Sequence, residues 1–288
     1  MQSNTANEVT CAQALAAAQT LGLDRLDAQL LLLHALGKPV DARAWLLAHD
    51  TDLLTDEAAD QFRALSLRRA AGEPLAYIVG NKEFFGLDLR VDARVLVPRP
   101  DTETLVQWSL DLLQTPGLPP VLRVLDLGTG SGAIALAIAH SLRVAGRQAR
   151  VLAVDASVEA LHVAQENARR LGLAVAFKES RWLQEIKESF HLIASNPPYI
   201  ADADPHLAAL THEPLQALAA GADGLDDIRQ IIEQAPGHLL AGGWLLLEHG
   251  YDQADRVREL LEQRGFLQVQ SRRDLAGIER CSGGQSPP

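Results

Sequence analysis

From Glu8 to about Ala71 the apolar residues recur at helical spacing in short segments, broken at Gly22, at Gly37-Lys38-Pro39 and at the polar stretch Asp50 to Thr55. This spacing predicts a small helical bundle, with the Ala-rich run Ala12 to Ala18 as one of its helices because Ala has the best helix propensity. After Gly72 the period changes. Tyr77 to Gly80 and Phe84 to Val91 are short β-type stretches separated by Asn81-Lys82, which predicts a hairpin, and Val95-Leu96-Val97 then runs into Pro98-Arg99-Pro100. From Thr102 helices alternate with short apolar strands. A helix to about Gln114 is followed by strand Val121 to Leu127, helix Ser131 to Leu142, strand Val151 to Val154, and helix Ser157 to Leu171 closed by Gly172. Further strands fit at Ala174 to Phe177, Leu192 to Ser195, Gly243 to Leu247 and Phe266 to Gln270, with a helix from Asp252 to about Gln263. Strand-helix alternation implies a parallel sheet covered on both faces. The expected organisation is a helical domain over 1–76, a β-hairpin connector over 77–97 and an α/β domain over 98–288.

Composition narrows the classes. With 288 residues, 47% hydrophobic and 22% charged, the chain can build one large core, or a medium one plus a small one. Met1 to Cys11 is polar and lacks the basic and apolar regions of a signal peptide. The run Leu30 to Leu33 is far too short to span a bilayer, so a cytoplasmic protein without membrane partners is expected. Cys11 and Cys281 lie far apart with no Cys-x-x-Cys and no paired His, which suggests neither a metal site nor a disulfide framework. A formal net charge of -11 favours a protein or small-molecule substrate over direct nucleic-acid binding, and the pairs Arg68-Arg69 and Arg272-Arg273 are too short to make a basic face.

The strand Val121 to Leu127 runs into Gly128-Thr129-Gly130-Ser131-Gly132-Ala133 and then an apolar helix. Glycines therefore fall where the backbone turns sharply and where a ligand must approach closely. This string satisfies the dinucleotide fingerprint and by itself does not separate NAD from S-adenosylmethionine. Asp155 ends the next strand, where a carboxylate can accept from both ribose hydroxyls of an adenosine; the lesser alternative is an acid that stabilises the N-terminus of the helix that follows. Asp126 precedes the first glycine and can serve either the cofactor's methionine end or the loop itself.

Strand Leu192 to Ser195 ends in Asn196-Pro197-Pro198-Tyr199, at the carboxyl edge of the sheet where open α/β folds keep their chemistry. An amide nitrogen is a poor nucleophile because its lone pair is delocalised. A site that methylates it must hold both N–H bonds with acceptors and aim the nitrogen at the methyl donor. Asn196 supplies a side-chain carbonyl, and the carbonyl of Pro197 can supply a second acceptor. Pro197 and Pro198 have no N–H and a fixed φ, so the rim is stiff and poor in donors. Tyr199 offers a flat amphipathic face for a planar amide or base. Catalysis is then mainly positioning, and no strong general base is required.

These residues resemble the Asn-Pro-Pro-Tyr amino-methyltransferases, and within them the release factor glutamine methyltransferase family over nearly the whole chain. The likeness is carried by the helical N-terminal segment, Gly72 to Tyr77, Pro98 to Glu103, Gly128 to Gly132, Asn196 to Ile200, Glu213-Pro214, Glu248-His249-Gly250 and Asp274 to Arg280. The resemblance implies a Rossmann-like class I methyltransferase domain with S-adenosylmethionine at the glycine loop (Gly128, Thr129, Gly130, Ser131, Gly132), Asp126, Asp155, Trp182 and Asn196. It implies glutamine binding at Asn196, Pro197, Pro198 and Tyr199, and N5-methylation of the glutamine in the Gly-Gly-Gln motif of class 1 peptide chain release factors. A ribosomal protein or an adenine base would share the chemistry and differ in the recognition surface. Family members often carry an acid just before the tryptophan, whereas Arg181 stands there here. Pro98 to Glu103 is expected near the mouth of the site, or as a rigid helix entry capped by Asp101 or Thr102. The tail Ser282-Gly283-Gly284-Gln285-Ser286 contains a Gly-Gly-Gln string of its own and reads as a flexible terminus.

Overall fold

The computed structural model describes residues 9–288, which form two compact units, one ending at Gly80 and one running Asn81–Pro288. Met1 to Glu8, most of the polar N-terminal stretch discussed above, lies outside the described residues.

The first unit is helical: α1 (Cys11–Thr20), α2 (Arg25–Ala35), α3 (Arg43–Ala48), α4 (Asp56–Ala70) and the single turn α5 (Leu75–Val79). Side-chain caps start the longer helices. Thr10 and Gln13 form a reciprocal capping box, Asp24 accepts from the Asp27 N–H, and Thr55 accepts from the Ala58 N–H. Leu31, Leu32, Leu33, Leu46, Phe62, Leu65 and Ile78 make its core. Arg69 bonds Asp27 at 2.6 Å, tying α4 to α2.

Tyr77 to Gly80 is not a strand. Tyr77 and Ile78 are β-type residues, but they are buried in α5, which follows Pro74 and ends at the left-handed Gly80. Packing overrides a weak local propensity. The hairpin lies further on, as β1 (Asn81–Phe84) and β2 (Leu87–Arg90). Its two-residue turn, Phe85-Gly86, has positive φ at both positions (49° and 76°), the geometry normally signalled by Asn-Gly. Phe84, Leu87 and Leu89 pack into the core under the large sheet, so the hairpin is part of the second unit rather than a free connector.

The second unit continues with α6 (Thr102–Leu113), β3 (Val121–Leu127), α7 (Ala133–Val144), β4 (Gln148–Asp155), α8 (Val158–Leu171), β5 (Val175–Glu179) and β6 (Phe190–Ser195). After these come α9 (Asp226–Gln234), β7 (Leu239–Glu248), α10 (Ala254–Gln263), β8 (Leu267–Arg273) and β9 (Glu279–Gln285). The strands form a seven-stranded sheet in the order β5-β4-β3-β6-β7-β9-β8. β3 to β7 pair in parallel, and β9 runs antiparallel to both β7 and β8. Leu122 and Val124 of β3 join a core with Trp108, Ile138 and Trp244 on one face. Leu125 and Leu127 join Ile228, Ile231, Val257 and Leu261 on the other. That alternation buries the sheet on both sides. Strand order reverses between β3 and β6, which opens a crevice at their carboxyl ends.

The tail is also ordered. Gly283 and Gly284 lie in β9 opposite Leu246 and Leu245, and the Gln285 amide donates to the Gly242 carbonyl at 2.9 Å and accepts from Gln268 at 2.7 Å. A Cβ on Gly283 would meet Leu246 Cδ2 at 2.5 Å and Trp108 at 3.1 Å, so glycine is demanded by packing.

Candidate active site

Gly128 to Gly132 connects β3 to α7 with positive φ at all three glycines. Asp126 is fully buried beneath this loop. One carboxylate oxygen accepts from the Thr129 hydroxyl at 2.6 Å and from the Ala135 N–H at 3.1 Å; the other has no partner among the described residues. Burial pushes its pKa up to about 7. Its contacts are all with the loop and helix it supports. Gly132 allows α7 to approach α8, since a Cβ there would lie 2.9 Å from Leu136 and 3.2 Å from Ala164.

Asp155, at the end of β4, accepts from the Gly130 N–H and the Ser157 N–H, each at 2.9 Å. Burial raises its pKa against the pull of these bonds. One carboxylate thus braces both the glycine loop and the entry to α8, and each oxygen keeps a further lone pair. The cap of α8 itself is the Ser157 hydroxyl.

A cavity of about 450 Å³ opens over these groups. Gly128, Gly130, Asp155, Trp182, Asn196 and Pro198 line it, together with Arg94, Asp227 and Gln216, which carried no signal in the sequence. Thr129, Ser131 and Asp126 are buried and, like Gly132, Pro197 and Tyr199, are not among the residues that line it. Trp182 holds a positive φ of 52°, unusual for so bulky a residue. Ser180 Oγ bonds its carbonyl at 2.9 Å, and its indole N–H donates to Asp227 at 3.1 Å, which turns one ring edge over Gly128. Arg181, though exposed, also lines the cavity, and the carboxylate beside the indole is that of Asp227 on α9.

Asn196 follows β6, and Ser195 anchors the strand end through its hydroxyl on the Leu127 carbonyl at 2.8 Å. The Asn196 side-chain NH2 donates to Thr102 Oγ1 at 3.1 Å. Neither Asp101 nor Thr102 caps α6: Thr102 is taken up by Asn196, and Asp101 pairs with Arg280 at 3.2 Å. The Tyr199 hydroxyl faces Glu248 at 3.5 Å, and its carbonyl accepts from Gln253 at 3.0 Å. Burial and the Glu248 charge raise the phenol's pKa, so it stays neutral. Arg99 pairs with the buried Glu213, which also accepts from the Val97 N–H at 3.1 Å. This holds Val97-Pro98-Arg99 against the loop after the tetrapeptide.

Two family models match the chain: the PrmC N-terminal domain over residues 10–80 and a methyltransferase domain over residues 120–271. Release factor glutamine methyltransferase of Bordetella pertussis is 49% identical, covering 91% of this chain and 95% of its own. That of Burkholderia pseudomallei is 46% identical over 100% of both chains, and that of Pseudomonas aeruginosa 48% identical over 91% and 92%. Among solved structures, a methyltransferase from Pyrococcus furiosus superposes with a TM-score of 0.51 at 20% identity, covering 80% of this chain and 98% of its own. A T. thermophilus 16S rRNA methyltransferase solved with AdoMet and guanosine gives 0.52 at 18%, covering 72% and 49%. These structural likenesses show the shared fold.

Proposed function

The chain belongs to the release factor glutamine methyltransferase family, and on that premise we propose that it methylates the side-chain N5 of the glutamine in the Gly-Gly-Gln motif of class 1 peptide chain release factors, with S-adenosylmethionine as donor. One observation carries the reading: Asn196-Pro197-Pro198-Tyr199 stands at the carboxyl end of β6, on the rim of the cavity that the glycine loop and Asp155 border.

The residues fit the cofactor. The cavity is of ordinary small-molecule size. Asp155 keeps acceptor capacity for ribose hydroxyls, the Trp182 ring offers a face for a purine, and Asp227 can accept from an adenine amino group in the place left by Arg181. When bound, the cofactor would supply a sulfonium methyl for the amide nitrogen and leave as the corresponding thioether, and the methylated nitrogen would lose one proton to solvent after the transfer.

The chain's own contribution is orientation. With its NH2 committed to Thr102, Asn196 presents its carbonyl oxygen to a substrate N–H. The Pro197 carbonyl offers a second acceptor, and the two prolines bring no competing donor. Tyr199, held neutral, packs on the planar amide. We assign recognition of the release factor to the helical first unit. Among the described residues no helix is long and apolar enough to cross a membrane.

Mass spectrometry of a purified class 1 release factor after incubation with this protein and cofactor tests the reading. One added methyl on the glutamine of the Gly-Gly-Gln peptide is expected. An unmodified factor, beside a methylated ribosomal protein or adenine base, would overturn it.

A further inference from the structure

His249 directly follows β7 and is fully buried, yet it bears two ring nitrogens that need partners. Its Nδ1 lies 2.8 Å from the Gly250 carbonyl oxygen, and its Nε2 lies 2.8 Å from the Ser282 hydroxyl in β9. Ser282 meets the Ser271 hydroxyl of β8 at 2.7 Å. Ser271 in turn receives an N–H from Arg258 of α10, whose guanidinium is held by Asp255 and Glu279. A buried polar cluster is costly unless every member is satisfied, and once satisfied it fixes one geometry.

The hydrogens of this cluster can be placed from its two ends. A guanidinium only donates, so Arg258 donates to Ser271; the Ser271 hydrogen then falls to Ser282, and the Ser282 hydrogen to His249 Nε2. At the other end a carbonyl only accepts, so Nδ1 carries the ring's proton and donates it to Gly250. Both ends dictate the same tautomer. Burial, with Arg258 and Arg280, holds the ring's pKa below its ordinary value against the Gly250 bond and Glu279, which keeps the imidazole neutral.

The Gly250 carbonyl also accepts from the Gln253 N–H at 3.1 Å, and the Gly250 N–H donates to Gln253 Oε1 at 2.8 Å. With its oxygen spent on Gly250, Gln253 turns its NH2 to the carbonyls of Tyr199 at 3.0 Å and Asp223 at 3.3 Å. We propose that His249 is a positioning residue for methyl transfer: as the Nδ1–H tautomer it fixes the Gly250 carbonyl, and through the turn from Gly250 to Gln253 it sets where the Tyr199 backbone stands. The proposal rests on the reading of the Asn196 to Tyr199 tetrapeptide given above.

Two amides separate the ring's two bonds. His249→Asn puts an N–H where Nδ1 stood and keeps the donor to Gly250. His249→Gln reaches the place of Nε2, keeps a partner for Ser282 and leaves Gly250 without that donor. In single-turnover methylation of the release factor at saturating cofactor, His249→Gln should be slowed roughly ten- to a hundredfold, and His249→Asn should run about tenfold faster than His249→Gln. Cofactor affinity by calorimetry should stay within about twofold in both. Gln253→Met removes the link, so adding His249→Gln to it should slow the reaction no further. NMR of the histidine ring nitrogens in the wild type, with the His249 signals identified by their loss in either variant, should show a protonated Nδ1 and a bare Nε2. A His249→Gln protein as fast as wild type, a His249→Asn protein no faster than His249→Gln, additive losses in the double variant, or an Nε2–H ring overturns the proposal while leaving the glutamine reading intact. A wild type that methylates no release factor overturns both.

Discussion

Gly224→Ala joins backbone geometry to turnover through a contact that can be sized. Gly224 has φ +71°, and a Cβ placed on it would lie 2.2 Å from the Tyr199 carbonyl oxygen, 2.9 Å from its carbon and 2.9 Å from Gln253 Nε2. Gln253 is the clamp here: it donates to the carbonyls of Tyr199 and Asp223 and accepts from the Gly250 N–H at 2.8 Å. Relieving the clash requires Tyr199 to retreat by about 1 Å, and a misplacement of that size costs roughly a hundredfold in rate, or about 2.7 kcal/mol. The left-handed backbone costs an alanine a further ~1–2 kcal/mol of stability. Gly172→Ala separates the two effects. It carries the same backbone strain at φ +60° with nothing within 4 Å, at the end of α8. Denaturant unfolding should show both variants destabilised, Gly224→Ala the more. Single-turnover methylation should fall in Gly224→Ala alone, with cofactor affinity retained, since Asp155 and the glycine loop are untouched. Equal rates in wild type and Gly224→Ala would refute the claim that the Tyr199 backbone is held to catalytic tolerance, and so would an equal loss in Gly172→Ala.

Asp155→Ala should weaken cofactor binding by tenfold or more, because it removes an acceptor for ribose and two backbone bonds at 2.9 Å, where bonds to charged groups are worth about 1.5–3 kcal/mol each; unchanged calorimetry would reduce Asp155 to a brace of the loop and helix entry. Asn196→Ala should cut turnover by about two orders of magnitude, roughly 2.7 kcal/mol, with the cofactor still bound. Asn196→Asp should retain more than Ala, and an Asp variant no faster would show that the side chain mainly braces its loop. For Asp126, the folded state holds the proton up to about pH 7 while the unfolded chain loses it near its ordinary value of 3.8. Stability is therefore greatest below that lower value, falls as pH rises between the two, and levels off above pH 7. Urea midpoints of Asp126→Asn should decline less over this window than those of the wild type, and parallel profiles would mean that Asp126 is ionised throughout.

The alternating core was legible because β3, β4 and β6 are apolar runs flanked by helices and because Gly172 marks a helix end. The glycine loop and Asn196-Pro197-Pro198-Tyr199 were legible because backbone geometry restricts which residues can stand there. β9 escaped notice since Ser282-Gly283-Gly284 has no strand propensity; its glycines answer to Trp108, Leu246 and Phe266, which the linear chain places far away. The hairpin turn was hidden for a similar reason, as Phe85 takes a conformation usually left to Asn. α9 carried a readable signal, Ile228, Ile231 and Ile232 at helical spacing. Thr102 and Glu248 stood out only as parts of motifs and Asp227 not at all, because the place of each depends on a partner 45 or more residues away.

β8 pairs with no strand but β9, so it reaches the sheet only through its neighbour. Release of β9 from β7 therefore takes both strands away together, and an isolated two-stranded pair is marginal in water. Their amides should exchange with solvent as one cooperative unit, at a lower opening free energy than the amides of β3, β4 and β6. The same opening bares the edge of β7 along Trp244-Leu245-Leu246-Leu247, a flat apolar template for another chain. Self-association on storage or heating should therefore track the population of that partly opened form rather than that of the fully unfolded chain.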